Sequence, residues 1–380
     1  MCNIDNIRER IDVIDDQFTQ LFVERMELCK QIGEEKAKNN LPLNVYERER
    51  QILSRVSAPY KDEMKRYVKR LYESVFMQSK TYQTSALKLD SPITRKLDAI
   101  KNESGVDFPV SACVACQGVK GAYSGIAAQK IFEIPTVSYF KTFDAVFSAV
   151  ESGLCEYGIL PIENSTAGSV SQVYDLMKKH NFYIVKSVMT QITHVLAAKK
   201  GETISDIKKV YSHKQALDQC AEYLKAMKVE CVEVENTAVA GKMVAGSEEK
   251  GVGVICSDEC AEIYGLRVLD RGVQDSGNNY TRFICISKEL KVFKGADKIS
   301  IMTALSNKPG SLNNLLSQFS ALGLNLTKLE SRPIHNSRFE FLFYFDFEGD
   351  VFSQGVLNLL AQLDDSSDKF LFLGSYKEVF

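Results

Sequence analysis

Apolar positions along the first part of the chain recur at three- and four-residue steps. Ile4, Ile7, Ile11, Ile14, Phe18, Leu21, Leu28 and Ile32 fall on one stripe, the pattern of a long amphipathic helix. The spacing predicts an end near Lys38-Asn39-Asn40, ahead of Pro42. A short helix is expected over 46–56 and a third over about 62–81. At about 1.5 Å per residue the first helix is some 50 Å long, and three helices with so narrow a stripe make a poor solitary core. A dimer that intertwines these helices is the natural way to bury the stripes. Over 85–109 the composition turns to Ser, Asp, Lys and Asn, with Pro92, and reads as a linker with a helical turn over 94–102.

The pattern then changes period. Short apolar runs predict strands at 110–116, 157–161, 183–190, 193–198, 209–211, 230–234 and 253–256, and a further apolar strand opens from Asn279. Helical spacing predicts helices at 125–132, 142–152, 169–178, 215–227 and 237–245. This βα rhythm suits a two-lobed α/β domain over 110–290 with a cleft between its lobes. From 297 to 380 the order is strand (298–305), helix (311–322), strands (325–331 and 339–348), helix (351–363) and strand (370–376). That βαββαβ order is an α+β, ferredoxin-like unit. The expected fold is multidomain: all-α over 1–84, the linker, the two lobes and the terminal α+β unit.

Charge and composition narrow the function. Over 380 residues, 47 basic and 49 acidic side chains leave a net charge of −2, which offers no global attraction to nucleic acid or an anionic membrane. An anion site must therefore gather its cations locally. No apolar run approaches the roughly 20 residues of a membrane span. The opening Met1-Cys2-Asn3-Ile4-Asp5 lacks the order of a secretion signal, so a cytoplasmic protein is expected. Ten cysteines include one C-x-x-C, Cys113-Val114-Ala115-Cys116, inside an apolar run that reads as buried strand thiols. His180, His194, His213 and His335 are scattered, and neither a metal nor another cofactor is expected. No G-x-G-x-x-G follows a strand, which argues against a dehydrogenase.

Polar clusters mark the candidate chemistry. Tyr157-Gly158-Ile159-Leu160-Pro161 is an apolar strand that reads as stopping at Pro161, before Ile162-Glu163-Asn164-Ser165-Thr166, a loop rich in groups that bond anions and hydroxyls. Gly121-Ala122-Tyr123-Ser124, Ser212-His213-Lys214-Gln215 and Asn279-Tyr280-Thr281-Arg282-Phe283 sit at similar junctions, where helix N-termini suit carboxylates. In the helical segment Arg25 and Lys36, 11 apart, lie within about 20° of one face, and Ser79 shares a face with Gln83. Arg48 and Glu49 sit on the short helix. Arg8 points roughly 100° away from Arg25 and cannot join it on one straight helix, but it suits a neighbouring chain's site.

These residues carry three family resemblances. Residues 4–83 resemble the helical chorismate mutases through Arg8, Arg25, Lys36, Arg48-Glu49-Arg50, Ser79 and Gln83. The resemblance implies that the cations clamp the two carboxylates of chorismate, with Arg8 supplied by the partner subunit. It gives Lys36 and Gln83 the ether oxygen and Glu49 the ring hydroxyl. Val45 stands where the family often has Asp, so ring-hydroxyl recognition would rest on Glu49 alone. The middle segment resembles prephenate dehydratase through Pro161-Ile162-Glu163-Asn164-Ser165, Tyr211-Ser212-His213, Tyr264-Gly265-Leu266 and Thr281-Arg282-Phe283. This implies removal of CO2 and the ring hydroxyl of prephenate, with Thr281 assisting the departing hydroxyl. Asn164, Ser165, Thr166, Ser212 and Gln215 would bind substrate oxygens. His213 is a substrate group or a helix-start residue, and Arg282 a carboxylate clamp or a structural tie. Ala122 lacks the hydroxyl that the family's first loop usually carries.

Asn307-Lys308-Pro309-Gly310-Ser311-Leu312 and Glu330-Ser331-Arg332-Pro333 resemble the phenylalanine-binding loops of an ACT domain. Together the three imply a bifunctional chorismate mutase/prephenate dehydratase with a C-terminal ACT regulatory domain and periplasmic-binding-protein-like lobes. Such an enzyme would be cofactor-free, a homodimer or homotetramer, and inhibited by phenylalanine. Two alternatives remain open: a dehydratase that uses arogenate beside an impaired mutase, and a two-lobed amino-acid sensor without catalysis.

Overall fold

The computed structural model describes residues 3–39, 46–85, 87–307, 310–333, 341–367 and 369–380. Met1, Cys2, Asn40, Pro42, Val45, Lys308, Pro309, His335 and Phe339, all singled out above, lie outside the described residues. Two compact units emerge: Met1–Lys101 with Ile299–Phe372, and Asn102–Lys298 with Leu373–Phe380.

The chain opens with three helices, α1 (Asn3–Lys38), α2 (Tyr46–Ser57) and α3 (Asp62–Ser85). α1 packs along α3. Gly33 permits a close approach, because a Cβ there would stand 2.9 Å from the carbonyl oxygen of Gln83. The stripe that defines α1 stays open in the single chain: Ile11 is 49% and Leu21 64% exposed. Part of the expected linker is folded in. Ser91 caps α4 (Pro92–Ile100) with a reciprocal bond to Thr94, and Ile93 and Leu97 are buried.

The second unit holds two sheets. In the first, β1 (Ser111–Gln117) lies parallel to β2 (Ile134–Phe140) and β3 (Tyr157–Asn164). β4 (Gly168–Ser169) pairs back onto β3, and β5 (Tyr183–Gln191) stands two places along. α5 (Tyr123–Ile131), α6 (Phe143–Glu151) and α7 (Ser171–Lys179) cover its faces. The second sheet contains β6 (Val195–Ala198), β7 (Lys209–Ser212), β8 (Glu230–Glu233), β9 (Val252–Cys256) and β10 (Arg267–Arg271) in the order β10-β6-β9-β7-β8. α8 (Lys214–Gln219), α9 (Ala221–Met227), α10 (Thr237–Gly246) and α11 (Asp258–Ile263) accompany it. β11 (Tyr280–Ser287) returns to the first sheet, antiparallel between β3 and β5.

Three expectations are corrected. β3 does not stop at Pro161 but runs on to Asn164. Pro161 faces Phe283, next to a register shift between Arg282 and Phe283, and such an irregularity accommodates a residue with no N–H to give. The helix expected over 215–227 breaks at Cys220 into α8 and α9. β2 and β10 were not foreseen, because each is an edge strand and needs no continuous apolar run.

The terminal segment reads β12 (Lys298–Leu305), α12 (Ser311–Ala321), β13 (Asn325–Pro333), β14 (Phe341–Glu348), α13 (Gln354–Ser366) and β15 (Phe370–Val379). This is the βαββαβ order, with strands arranged β13-β14-β12-β15 and β13 at the edge. Lys377–Val379 of β15 pair parallel with β5 within the second unit. Among the described residues no helix is long and apolar enough to cross a membrane.

Candidate active sites

On the helical segment, one face of α1 meets one face of α3. Arg25 Nη1 donates to Ser79 Oγ, and its guanidinium stands 5.7 Å from the centre of the Phe76 ring. Ser79 in turn donates to the Val75 carbonyl at 2.6 Å, so a buried hydroxyl fixes a half-buried cation. Gln83 lies one turn further along α3, where Gly33 lets the helices close. Lys36 borders an open recess with Leu28, Gln31, Ile32, Glu35 and Asn39. Arg25, Ser79 and Gln83 are therefore brought to one helix–helix face.

Arg8 and Arg48 are not brought there. Both are exposed, and Arg8 stands 3.8 Å from Asp5. Glu49 reaches α3, where it pairs with Lys80 at 2.7 Å. Lys80 was missed by sequence reasoning. Its signal was the three-residue step to Gln83, which puts both on adjoining positions of one helix face.

In the second unit a cleft of about 360 Å3 opens between the lobes. Gln117, Tyr123, Ser124, Pro161, Asn164, Thr281 and Phe283 line it from the first lobe; His194, His213, Gln215, Gln219, Asn236 and Thr237 line it from the second. Asn164 ends β3, and Thr281 stands opposite it in register on β11. Asn164 Nδ2 donates to Thr281 Oγ1 at 2.8 Å and to Asn279 Oδ1 at 2.9 Å. The amide orientation is settled by the backbone: the N–H groups of Thr166 and Ala167 donate to Asn164 Oδ1 at 3.0 and 2.8 Å.

From that fixed point a ring of donors follows. Thr166 Oγ1 donates to Asn164 Oδ1 at 2.7 Å, and accepts from Gln219 Nε2 at 3.1 Å. Gln219 Oε1 accepts from Asn279 Nδ2 at 3.0 Å. The ring Asn164–Asn279–Gln219–Thr166 is closed and runs in one direction.

Other expected residues do different work. Ser212 is buried and donates to the Ile255 carbonyl at 2.6 Å; it is turned into the sheet and does not line the cleft. Ser165 donates to the Asn278 carbonyl and accepts from Tyr280 N–H, tying the β3 end to β11. His213 lines the cleft and caps α8 with Nδ1 at 3.3 Å from Gln215 N. Gln215 Nε2 stands 3.5 Å from Asn164 Oδ1. Arg282 is turned out of the cleft. Strand alternation turns it away from Thr281, and its Nε lies 2.8 Å from Glu378 Oε2 while Nη2 donates to the Tyr376 hydroxyl at 2.5 Å. Buried there, it joins β11 to β15.

With Arg282 turned away, no Lys or Arg lines the cleft among the described residues. Anion binding there falls to neutral donors and helix N-termini. α5 starts at the cleft with no side-chain cap on its N–H groups, and α10 starts there with Asn236 as cap. Tyr123 donates to the Thr193 carbonyl at 2.6 Å, and burial pushes its phenol well above the ordinary value. Sequence reasoning also missed His194 and Gln219. The signal available for Gln219 was its position four after Gln215, one helical turn along the same face.

Comparisons with known proteins identify the family. A family profile described as prephenate dehydratase matches residues 114–291, and one described as chorismate mutase type II matches 7–84. The bifunctional chorismate mutase/prephenate dehydratase of Aquifex aeolicus is 33% identical over 388 residues, covering 99% of this chain and 98% of that protein. Arogenate dehydratase 2 of Petunia hybrida is 38% identical, but covers 78% of this chain and 79% of its own length. A solved prephenate dehydratase from Arthrobacter aurescens, in complex with L-Phe, superposes with a TM-score of 0.64 at 28% identity, over 70% of this chain and 89% of that one. Matched along nearly its whole length, the helical segment included, the chain belongs to the bifunctional chorismate mutase/prephenate dehydratase family.

Proposed function

We propose that the two reactions run in two separate pockets, and that each pocket works by positioning and charge stabilisation. The protein is a bifunctional enzyme that rearranges chorismate to prephenate and converts prephenate to phenylpyruvate. The first reaction is pericyclic. One C–O bond breaks as one C–C bond forms, and no proton moves. Arg25, held by Ser79, and Arg48 would grip carboxylates, while Lys36 and Gln83 meet the charge that develops on the ether oxygen. Glu49, drawn to α3 by Lys80, would take the ring hydroxyl. The open stripe of α1 supports an intertwined homodimer, within which Arg8 of one subunit completes the other's site. A homotetramer would pair two such dimers.

In the second reaction the electrons of the C–CO2 bond move into the ring and expel the ring hydroxyl, and aromatisation drives the step. The departing oxygen needs a hydrogen-bond donor. Thr281 is the donor we assign, and the observation that carries this is the 2.8 Å bond from Asn164 Nδ2. Because Thr281 Oγ1 accepts from Asn164, its own proton is free to point elsewhere, and polarisation along the ring strengthens that donor. His213, Gln215 and the starts of α5 and α10 would hold the carboxylates and the keto oxygen.

Phenylalanine would bind at Gly310-Ser311-Leu312, with Asn307 beside them, and at Glu330-Ser331-Arg332. Glu330 and Arg332 pair at 2.6 Å on the edge strand β13, the side on which two such units would meet. A coupling of about 1–3 kcal/mol to the dehydratase is typical of such regulation. The cytoplasm is the compartment that fits both substrates.

Chorismate fed to the purified chain should give phenylpyruvate, and arogenate offered alone should turn over more slowly than prephenate. Failure to form phenylpyruvate from either chorismate or prephenate removes the reading.

A further inference from the structure

One buried group in the dehydratase cleft has no part in the mechanism above. His194 is 2% exposed and lies just before β6, with its ring edge-on to Tyr123 at 6.3 Å between centres. Its Nε2 is 3.0 Å from Gln219 Oε1. That oxygen only accepts, and the direction of the Asn164–Asn279–Gln219–Thr166 ring already requires oxygen, not nitrogen, at that position. His194 must therefore carry its proton on Nε2. Its Nδ1 is buried with no hydrogen-bond partner among the described residues, so a second proton would go unsatisfied. Burial accordingly lowers the affinity of the ring for that proton.

We propose that His194 is a positioning residue for the dehydration: neutral and protonated on Nε2, it locks the direction of the ring and so aims Asn164 Nδ2 at Thr281. This rests on the role given to Thr281. Without the His194 donor the Gln219 amide is free to turn over. Its nitrogen would then face Asn279, whose oxygen would have to turn toward it. The Asn279 nitrogen would meet the Asn164 nitrogen, which the Thr166 and Ala167 backbone pins in place. Two donors would oppose each other, and Asn164 would be driven off Thr281.

Steady-state kinetics on prephenate with the full-length chain tests the idea. His194→Phe keeps a flat ring against Tyr123 and removes the donor, whereas His194→Gln returns an N–H near the Nε2 position. The expected result is a fall in kcat of about ten-fold for His194→Phe with KM changed less than about three-fold, and recovery of most of kcat in His194→Gln. Equal losses in both variants, a change confined to KM, or unchanged kcat in His194→Phe overturns the proposal. Should His194→Phe fail to fold by circular dichroism, the unmutated protein still decides. Its 15N-histidine spectrum, with the His194 signals assigned through His194→Gln, should show the neutral Nε2–H tautomer near neutral pH, and an Nδ1–H tautomer or an imidazolium overturns the proposal. Thr281→Ala separates the two readings. Full turnover there removes the role of Thr281, while its loss there beside normal kcat in His194→Phe removes only that of His194.

Discussion

Asn164 and Thr281 face each other across two antiparallel strands and share a 2.8 Å hydrogen bond. Register puts both side chains on the cleft face, so neither can be moved without moving a strand. Thr281→Ala is expected to lower dehydratase kcat about 100-fold while prephenate still binds, as expected for loss of one donor to developing charge. Thr281→Ser should retain most of the activity. Isothermal titration with prephenate beside the turnover assay separates binding from chemistry, and normal turnover in Thr281→Ala would sink the assignment.

The neighbouring residue should behave in the opposite way. Arg282 is buried against Glu378, with Tyr376 as a second partner. Arg282→Ala leaves the Glu378 carboxylate with Lys298 as its remaining cation. Removing one member of such a buried pair typically costs about 3 kcal/mol. Urea unfolding should register that loss while KM for prephenate stays near its original value. A large rise in KM with unchanged stability would return Arg282 to the substrate.

The contrast between Thr281 and Arg282 marks what the sequence makes legible. The motif announces that both matter, but only strand alternation decides which side each takes, and the register shift at Arg282 sits outside any local pattern. The α1 stripe, the βα alternation and the βαββαβ order are written as periodicities and are readable. Ser212 looked like a cleft hydroxyl because it ends a strand, yet its position turns it toward Ile255. Gln219 joins a ring whose partners Thr166 and Asn279 lie more than fifty positions away, and His194 touches that ring from outside, so spacing along the chain signals the helix face of Gln219 but not the ring.

His194 also gives a pH dependence of stability. Its folded pKa lies below the ordinary histidine value of 6.5 because burial disfavours the charged ring. The unfolded chain therefore binds more protons than the native one as the pH falls, and stability must drop with it. The contribution is fully present above about pH 6.5 and is lost progressively below it. Thermal midpoints measured from pH 7.5 down to 5.5 should fall less steeply in His194→Gln than in the unmutated protein. Identical slopes in both would contradict a neutral buried His194.

Gly310 precedes α12 with φ of +88°, a conformation that side chains other than glycine adopt at a cost. Gly310→Ala should therefore disturb the proposed phenylalanine loop with little effect on the cleft, to which it contributes no residue. The expected outcome is dehydratase activity that persists in millimolar phenylalanine, with kcat in its absence close to normal. Inhibition that is as strong as in the unmutated enzyme would move the effector site elsewhere, and no inhibition of the unmutated enzyme would remove the regulatory reading altogether.

The mutase site supplies a test of the dimer. Arg8 is exposed and stands 17 residues before Arg25, roughly 25 Å along the α1 axis, so one chain cannot bring both to one substrate. If each site takes Arg25 from one subunit and Arg8 from the other, Arg8→Ala and Arg25→Ala proteins should each be nearly inactive as mutases. Refolding an equal mixture makes half of the dimers mixed, and each mixed dimer holds one site with both arginines intact. Mutase activity should then recover to about a quarter of the unmutated level, by the statistics of a two-fold symmetric dimer. Mixtures that stay inactive, although mass spectrometry detects mixed dimers, would remove Arg8 from the partner's site and leave the exposed stripe of α1 without this explanation.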